Sequence, residues 1–173
     1  MGSGKTLKVL LPAFHCILTK DLPENSSADV LIGAKKIPAP LCLVLFTTRK
    51  LAIQIHSECI KFGTCLNIRL ECLYGSTNVR TQLKKFCAAD PQVILCTPGR
   101  ICNFIQQKSL LLSQCQFIVL DKSDCMEDMG FEKELNSVIK ELQKIRQTLF
   151  FMETWPNAVC CVANNFLQTG DTV

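Results

Sequence analysis

Short apolar runs separated by amphipathic stretches constrain this chain more than any other feature. Leu41 to Phe46, Ile68 to Tyr74, Val93 to Cys96, Phe117 to Leu120 and Thr148 to Phe151 read as strands. Several are continuous rather than alternating, the pattern of strands covered on both faces. Leu51, Ile55, Cys59 and Phe62 share one face of a helix over 49–62. Leu135, Val138, Ile139 and Leu142 do the same over 132–143, and a helical pattern runs from Leu7 to Leu18. Strands alternating with helices predict an α/β fold around a mostly parallel sheet with right-handed crossovers. Residues 21–40 break the rhythm with Pro23, Asn25, Ser26, Ser27, Gly33, Pro38 and Pro40, around Lys35 and Lys36. That stretch predicts a long surface loop. No internal repeat or second domain is visible, so 1–173 reads as a single domain.

Composition serves here to exclude. At 173 residues with 48% apolar and 20% charged side chains, the chain can bury a core and is not disordered. No apolar run approaches the ~20 residues that span a bilayer. The Met-Gly-Ser-Gly-Lys start lacks a signal peptide's apolar centre. An intracellular protein without membrane contact is therefore expected. A net charge of +4 is too mild to announce nucleic acid by itself. The 12 cysteines include no C-x-x-C pair and are expected to be reduced thiols. Cys42, Cys96 and Cys115 lie in or beside apolar runs, where a thiol packs as a small hydrophobe. A zinc set of Cys59, Cys65 and Cys72 is the alternative, and packing is preferred to it.

Three places carry possible chemistry. Gly2-Ser3-Gly4-Lys5-Thr6 precedes the first helical pattern. Glycines let backbone amides close around phosphate, Lys5 adds a point charge, and the Thr6 hydroxyl is a Mg²⁺ ligand type. The other reading is a chance run or a cloning remnant. Asp121 ends the apolar run 117–120, and the carboxyl ends of parallel strands form a ligand-binding rim. Its alternatives are a metal-holding carboxylate and an ordinary strand-ending Asp. Thr97-Pro98-Gly99-Arg100 follows another strand, with Pro98 at a first helical position and free amides beside the Arg100 charge. Arg49 stands similarly after 41–46. A helix cap with a solvated arginine is the bland alternative for both. His15 and His56 have no catalytic companions and read as structural or solvent-facing, and Trp155 with Pro156 reads as a packing pair.

In their order these motifs resemble the first RecA-like domain of DEAD-box RNA helicases over nearly the whole chain. Gly2 to Thr6 is similar to the tail of motif I, and Thr47-Thr48-Arg49-Lys50-Leu51-Ala52 to P-T-R-E-L-A of motif Ia. Tyr74-Gly75-Ser76 resembles the Y-G-G turn, and Thr97-Pro98-Gly99-Arg100 is motif Ib intact. Asp121-Lys122-Ser123-Asp124 stands at the D-E-A-D box, and Met152-Glu153-Thr154-Trp155-Pro156 where relatives read S-A-T-W-P.

The resemblance implies a three-layer sheet of RecA-like type. It implies ATP and Mg²⁺ at Gly2, Ser3, Gly4, Lys5, Thr6 and Asp121, the metal on Thr6 and Asp121. It implies RNA held mainly by sugar and phosphate at Arg49, Gly75, Thr97, Pro98, Gly99 and Arg100. The T-W-P ending and the long loop resemble a subgroup that includes ribosome-assembly helicases, which implies nucleus or nucleolus, with cytoplasm as the alternative. The departures imply impairment. Lys122 replaces the glutamate that activates the attacking water, and losing a positioned base removes ~10²–10⁴-fold in rate. Met152 and Glu153 replace the Ser-Ala of motif III, whose serine contacts the position held here by Asp124. Thr47 and Lys50 replace the Pro and Glu of motif Ia. Against the family the domain is expected to be incomplete. The phosphate-loop strand, the adenine-reading segment, the closing strand and the second domain are expected to be missing, leaving 148–151 at a bare edge for a protein partner. Three functional expectations follow: an RNA-binding domain with impaired hydrolysis, a portion of an active ATP-dependent RNA helicase, or a decayed product without activity.

Overall fold

Cys42–Phe46 is the longest described strand with every residue buried. The computed structural model describes residues 5–19, 31–32, 35–122, 126 and 129–152. In chain order the elements begin α1 (Lys5–Thr19), β1 (Leu31–Ile32), β2 (Lys35–Lys36), β3 (Cys42–Phe46), α2 (Arg49–Cys65) and β4 (Leu70–Leu73). They continue α3 (Val79–Ala89), β5 (Val93–Cys96), α4 (Pro98–Gln106), β6 (Phe117–Asp121), α5 (Glu132–Glu141) and β7 (Gln147–Phe151). Five strands form one parallel sheet in the order β4-β5-β3-β6-β7. β1 and β2 pair separately and antiparallel.

Side chains of a strand alternate between faces, so continuous apolarity feeds two cores at once. Cys42, Val44 and Phe46 join Val93, Leu95, Phe117 and Val119 beneath α1 and α2. Leu43 and Leu45 join Ile94, Cys96, Ile118 and Leu120 beneath α3, α4 and α5. The expected three layers follow: helices, sheet, helices. Phe86 of α3 meets Phe104 of α4 edge to face at 5.6 Å, locking two helices of the second layer together. Gly63 of α2 lets that helix sit directly on β4. A Cβ there would run into the Leu70 side chain and stand 3.2 Å from the Ile68 carbonyl.

The strands lie within two residues of their expected bounds. Ile68 falls outside β4 because its N–H donates to the Gly63 carbonyl at 2.9 Å, closing the end of α2. The loop expected over 21–40 needs correction twice: Leu31–Ile32 and Lys35–Lys36 pair as short antiparallel strands within it, and its end is buried. Ile37, Pro38, Ala39 and Pro40 are buried rather than on the surface, and the Pro38 carbonyl accepts from Leu111 N–H at 3.1 Å. The prolines signal a turn, but Ile37 and Ala39 are apolar and pack at 7% exposure. Residues 20–30 and 33–34 lie outside the described residues. Helix α3 adds to the elements that apolar spacing predicts. It is capped by Asn78, whose side chain accepts from Thr81 N–H at 3.1 Å. Among the described residues β7 is the outermost strand beyond β6, with Leu149, Phe150 and Phe151 half-buried.

The nine described cysteines are free thiols. Cys42, Cys96 and Cys115 are fully buried, as the apolar runs around them predict. Cys59 and Cys72 point into the core while Cys65 is exposed. Burial pushes the Cys59 and Cys72 thiols up to about 12, and among the described residues no three His, Cys, Asp or Glu side chains gather in a group that could hold a metal ion.

Candidate nucleic-acid interface and nucleotide site

The five strands of the main sheet run the same way, so their carboxyl ends share one rim, and apart from Lys5 and Thr6 in α1 the described site residues stand along it. Arg49 opens α2 just past β3. Its helix is started by Thr48, whose Oγ1 accepts from Leu51 N–H at 3.3 Å. The Arg49 guanidinium carbon sits 4.9 Å from the centroid of the Tyr74 ring, which follows β4. That cation–π contact, about 0.5–1 kcal/mol at an exposed site, orients the arginine without removing its charge.

Gly75 and Ser76 turn the chain after Tyr74. Ser76 stands where the resembling turn has a second glycine, and it holds φ at 61°, the left-handed region that glycine adopts more cheaply. At Gly75 a Cβ would meet nothing within 4 Å, and the same is true of Gly99. Neither glycine is needed for packing within the described fold. Each leaves room for something outside to approach the backbone.

Thr97 ties the next loop to this one, its N–H donating to the Leu73 carbonyl at 3.0 Å. Its own carbonyl accepts from Arg100 N–H at 3.1 Å and starts α4, but its hydroxyl makes no cap bond. Pro98 has no N–H, and the Arg100 and Ile101 N–H groups both donate to the Thr97 carbonyl, so the Gly99 N–H is the amide that the first turn of α4 can turn toward an anion. Arg100 differs from its expected exposed position. It is 5% exposed and points inward, its Nη2 donating to the Thr77 carbonyl at 2.8 Å.

Across the sheet, Asp121 closes β6, in register with Phe46 of β3 and Phe151 of β7. Lys122 follows with φ at 57°, and its N–H donates to the Phe151 carbonyl at 2.7 Å. A lysine held in this left-handed conformation costs on the order of 1 kcal/mol, the kind of local strain that collects at functional sites. Asp121 and Lys122 are half-buried and engage further partners. Met152 is half-buried just past β7. Lys5 and Thr6 lie in the first turn of α1, which packs against β6 and α2. Gly2, Ser3, Gly4, Asp124, Glu153 and Thr154 lie outside the described residues, as do Trp155 and Pro156.

The structure thus brings Arg49, Gly75, Thr97, Pro98 and Gly99 onto adjoining ends of β3, β4 and β5, and sets Asp121, Lys122 and Met152 on the ends of β6 and β7. Sequence reasoning missed Thr77, which joins Arg100 to the turn. Its one signal is a hydroxyl residue three positions past Tyr74, able to donate to that residue's carbonyl, as it does at 3.1 Å. His56 lies apart on α2, and burial lowers its pKa. His15 is exposed on α1.

A five-strand parallel sheet between two layers of helices is a three-layer α/β fold of RecA-like type. Residues 1–160 match the family model described as DEAD/DEAH box helicase, and the chain belongs to that family. It is 36% identical over 167 residues to ATP-dependent RNA helicase DBP2 of Scheffersomyces stipitis, covering 96% of this chain and 29% of that one. It is 39% identical over 166 residues to DEAD-box ATP-dependent RNA helicase 40 of Oryza sativa subsp. japonica, covering 96% and 19%. The chain therefore spans less than a third of the length of these curated relatives. The fold is similar to that of the yeast DEAD-box splicing factor Prp28, with a TM-score of 0.78, 23% identity and coverage of 97% and 38%. It is similar also to Mss116p solved with ssRNA and AMP-PNP, with a TM-score of 0.76, 24% identity and coverage of 95% and 32%. Among the described residues no helix is long and apolar enough to cross a membrane.

Proposed function

We propose that this domain grips RNA by its sugar–phosphate backbone and holds a nucleoside triphosphate beside Asp121, with hydrolysis impaired at position 122. One arrangement supports the RNA reading above all. Arg49, Gly75 and the Thr97–Gly99 turn meet on adjoining strand ends, joined by the Arg49–Tyr74 contact and the Thr97–Leu73 hydrogen bond. The open space at both glycines admits a polymer backbone, the start of α4 offers the Gly99 N–H, and Arg49 offers charge. Contacts of that kind carry affinity without sequence preference. Curated relatives at 36% and 39% identity are named RNA helicases, which supports the same reading.

For the nucleotide, Asp121 supplies a carboxylate oxygen of the type Mg²⁺ takes, and Thr6 and Lys5 at the head of α1 are the matching hydroxyl and charge. Gly2, Ser3 and Gly4 would wrap the phosphates. ATP with Mg²⁺ would bring the phosphoryl group and part of the charge neutralisation. Lys122 attracts phosphate but, as an ammonium, cannot accept the proton of an attacking water. Asp124, Met152, Glu153 and Thr154 complete this reading as the positions where nucleotide state and RNA grip would meet.

Binding to a short single-stranded oligoribonucleotide, followed by fluorescence anisotropy across a salt series, tests the RNA half. On single strands log K falls with log salt at about −0.7 per neutralised phosphate. Arg49→Ala is expected to weaken binding and flatten that slope by about 0.7; unchanged affinity and slope would refute the assignment. Phosphate release with RNA present tests the other half. None above background is expected, and turnover abolished by Lys5→Ala would overturn the impairment. A second reading, one portion of an active ATP-dependent helicase, is favoured by coverage of only 29% and 19% of those relatives. RNA-stimulated turnover by a longer natural product carrying this segment would select it.

A further inference from the structure

Arg100 is a full charge placed almost wholly inside the protein, at 5% exposure. Its Nη2 donates to the Thr77 carbonyl at 2.8 Å and lies 3.5 Å from the Thr77 hydroxyl. Its Nε and Nη1 are enclosed without a hydrogen-bond partner. Thr77 Oγ1 donates in turn to the Tyr74 carbonyl at 3.1 Å, and the Tyr74 ring carries the Arg49 guanidinium. A phosphate on the protein surface cannot reach Nε or Nη1 while this turn stays closed. A half-satisfied guanidinium in the interior is unfavourable. What it does there is join α4 to the turn after β4, a bond spanning 23 residues of sequence.

We infer that Arg100 is a positioning residue, which fixes the turn Gly75–Thr77 against the start of α4 and leaves contact with phosphate to Arg49 and the backbone. The inference rests on the RNA reading above and departs from a direct arginine–phosphate contact. A contacting arginine contributes to the number of counterions released; a positioning arginine changes affinity and leaves that number alone.

The experiment compares the parent 173-residue chain with Arg100→Met, which keeps much of the side chain's packing and removes its donors. Two quantities are read: the salt slope of binding to a short single-stranded oligoribonucleotide, and amide hydrogen exchange without RNA. Arg100→Met is expected to weaken binding roughly tenfold, the worth of one hydrogen bond, at the parent's slope. Exchange at 75–77 is expected to quicken while β3, β5 and β6 keep the parent's rates. A slope flattened by about 0.7 with exchange at 75–77 unchanged would overturn the inference and make Arg100 a phosphate contact. Should the variant fail to fold, Thr77→Ala tests the same tie from its other end. Weaker binding at the parent's slope supports it, and unchanged affinity with unchanged exchange sinks it. If the parent binds no RNA, the RNA reading fails, while the exchange measurement still decides whether Arg100 holds the turn.

Discussion

Cys115 offers the sharpest test of the core, because its thiol is fully buried and its titration is shifted by burial in a known direction. Burial disfavours the thiolate and pushes the folded pKa from 9.0 to about 12. A raised folded pKa means that the thiol's contribution to stability is whole below about pH 9 and is lost as pH climbs toward 12. Across that window the unfolded chain releases a proton that the folded chain keeps. Between about pH 8 and pH 10 the loss is about 1.4 kcal/mol for this one group. Cys115→Ala removes the term and leaves a small void, costing about 1 kcal/mol at every pH. The cavity therefore sets the vertical gap between parent and variant, and the thiol sets the difference in slope. Guanidinium unfolding at pH 8, 9 and 10 should show the variant less stable at pH 8 and level with the parent, or slightly above it, at pH 10. Lysine and tyrosine titrations act on both proteins alike and cancel. Parallel curves would show that the folded protein admits the thiolate, and the enclosed core would be wrong at this point.

Ser76→Gly relieves a left-handed φ and should raise stability by about 0.5–1 kcal/mol, read as a shift in the denaturation midpoint; a loss would mean that the serine side chain does more than endure the turn. Gly63→Ala gains about 1 kcal/mol of helix propensity but drives a methyl into Leu70, so a net loss of about 1 kcal/mol is expected. Adding Leu70→Ala should make the same alanine favourable, and a double-mutant cycle without coupling would refute the contact. Lys122→Glu keeps the backbone hydrogen bond to Phe151, so its stability should stay within about 0.5 kcal/mol of the parent. Its phosphate release should stay at background because Met152 and Glu153 still stand in place of the Ser-Ala pair; recovered turnover would show that position 122 alone sets the impairment.

Apolar content made the strands legible. β3, β5 and β6 are covered on both faces, so their residues are apolar without a break and their ends nearly announce themselves. Where a hydrogen bond, not apolarity, decides a boundary, the reading slips, as at Ile68. Residues 37–40 misled because Pro38 and Pro40 signal a turn while Ile37 and Ala39 are carried into the core. Helix α3 was legible and was overlooked. Val79, Leu83, Phe86 and Cys87 form an apolar stripe at helical spacing that packs on the core, set among Arg80, Lys84 and Lys85. The Thr97-Pro98-Gly99 turn was readable as a helix start because proline fixes the first-turn φ. The inward aim of Arg100 was not, since the same arginine on the same turn reaches water or Thr77 depending on a loop 23 residues away in the chain. Nor did any residue type mark Ser76 or Lys122 for a left-handed backbone, because neither is glycine or asparagine.

The strand order divides the rim into two territories. β4, β5 and β3 end in the residues proposed for RNA, and β6 and β7 end in those proposed for nucleotide. β3 is the strand they share, hydrogen-bonded to β5 on one side and to β6 on the other. It cannot slide to carry a signal between them. A one-residue slip would turn Cys42, Val44 and Phe46 out of one core and into the other, against side chains packed on both faces. One route between the territories runs along the rim. It starts where Asp121 stands in register with Phe46, leaves the end of β3 through Thr48 and Arg49, and reaches the turn through Tyr74. The tie from Arg100 to Thr77 grips the far end of that same path. Loosening it should blunt any nucleotide effect on RNA affinity even where RNA itself still binds.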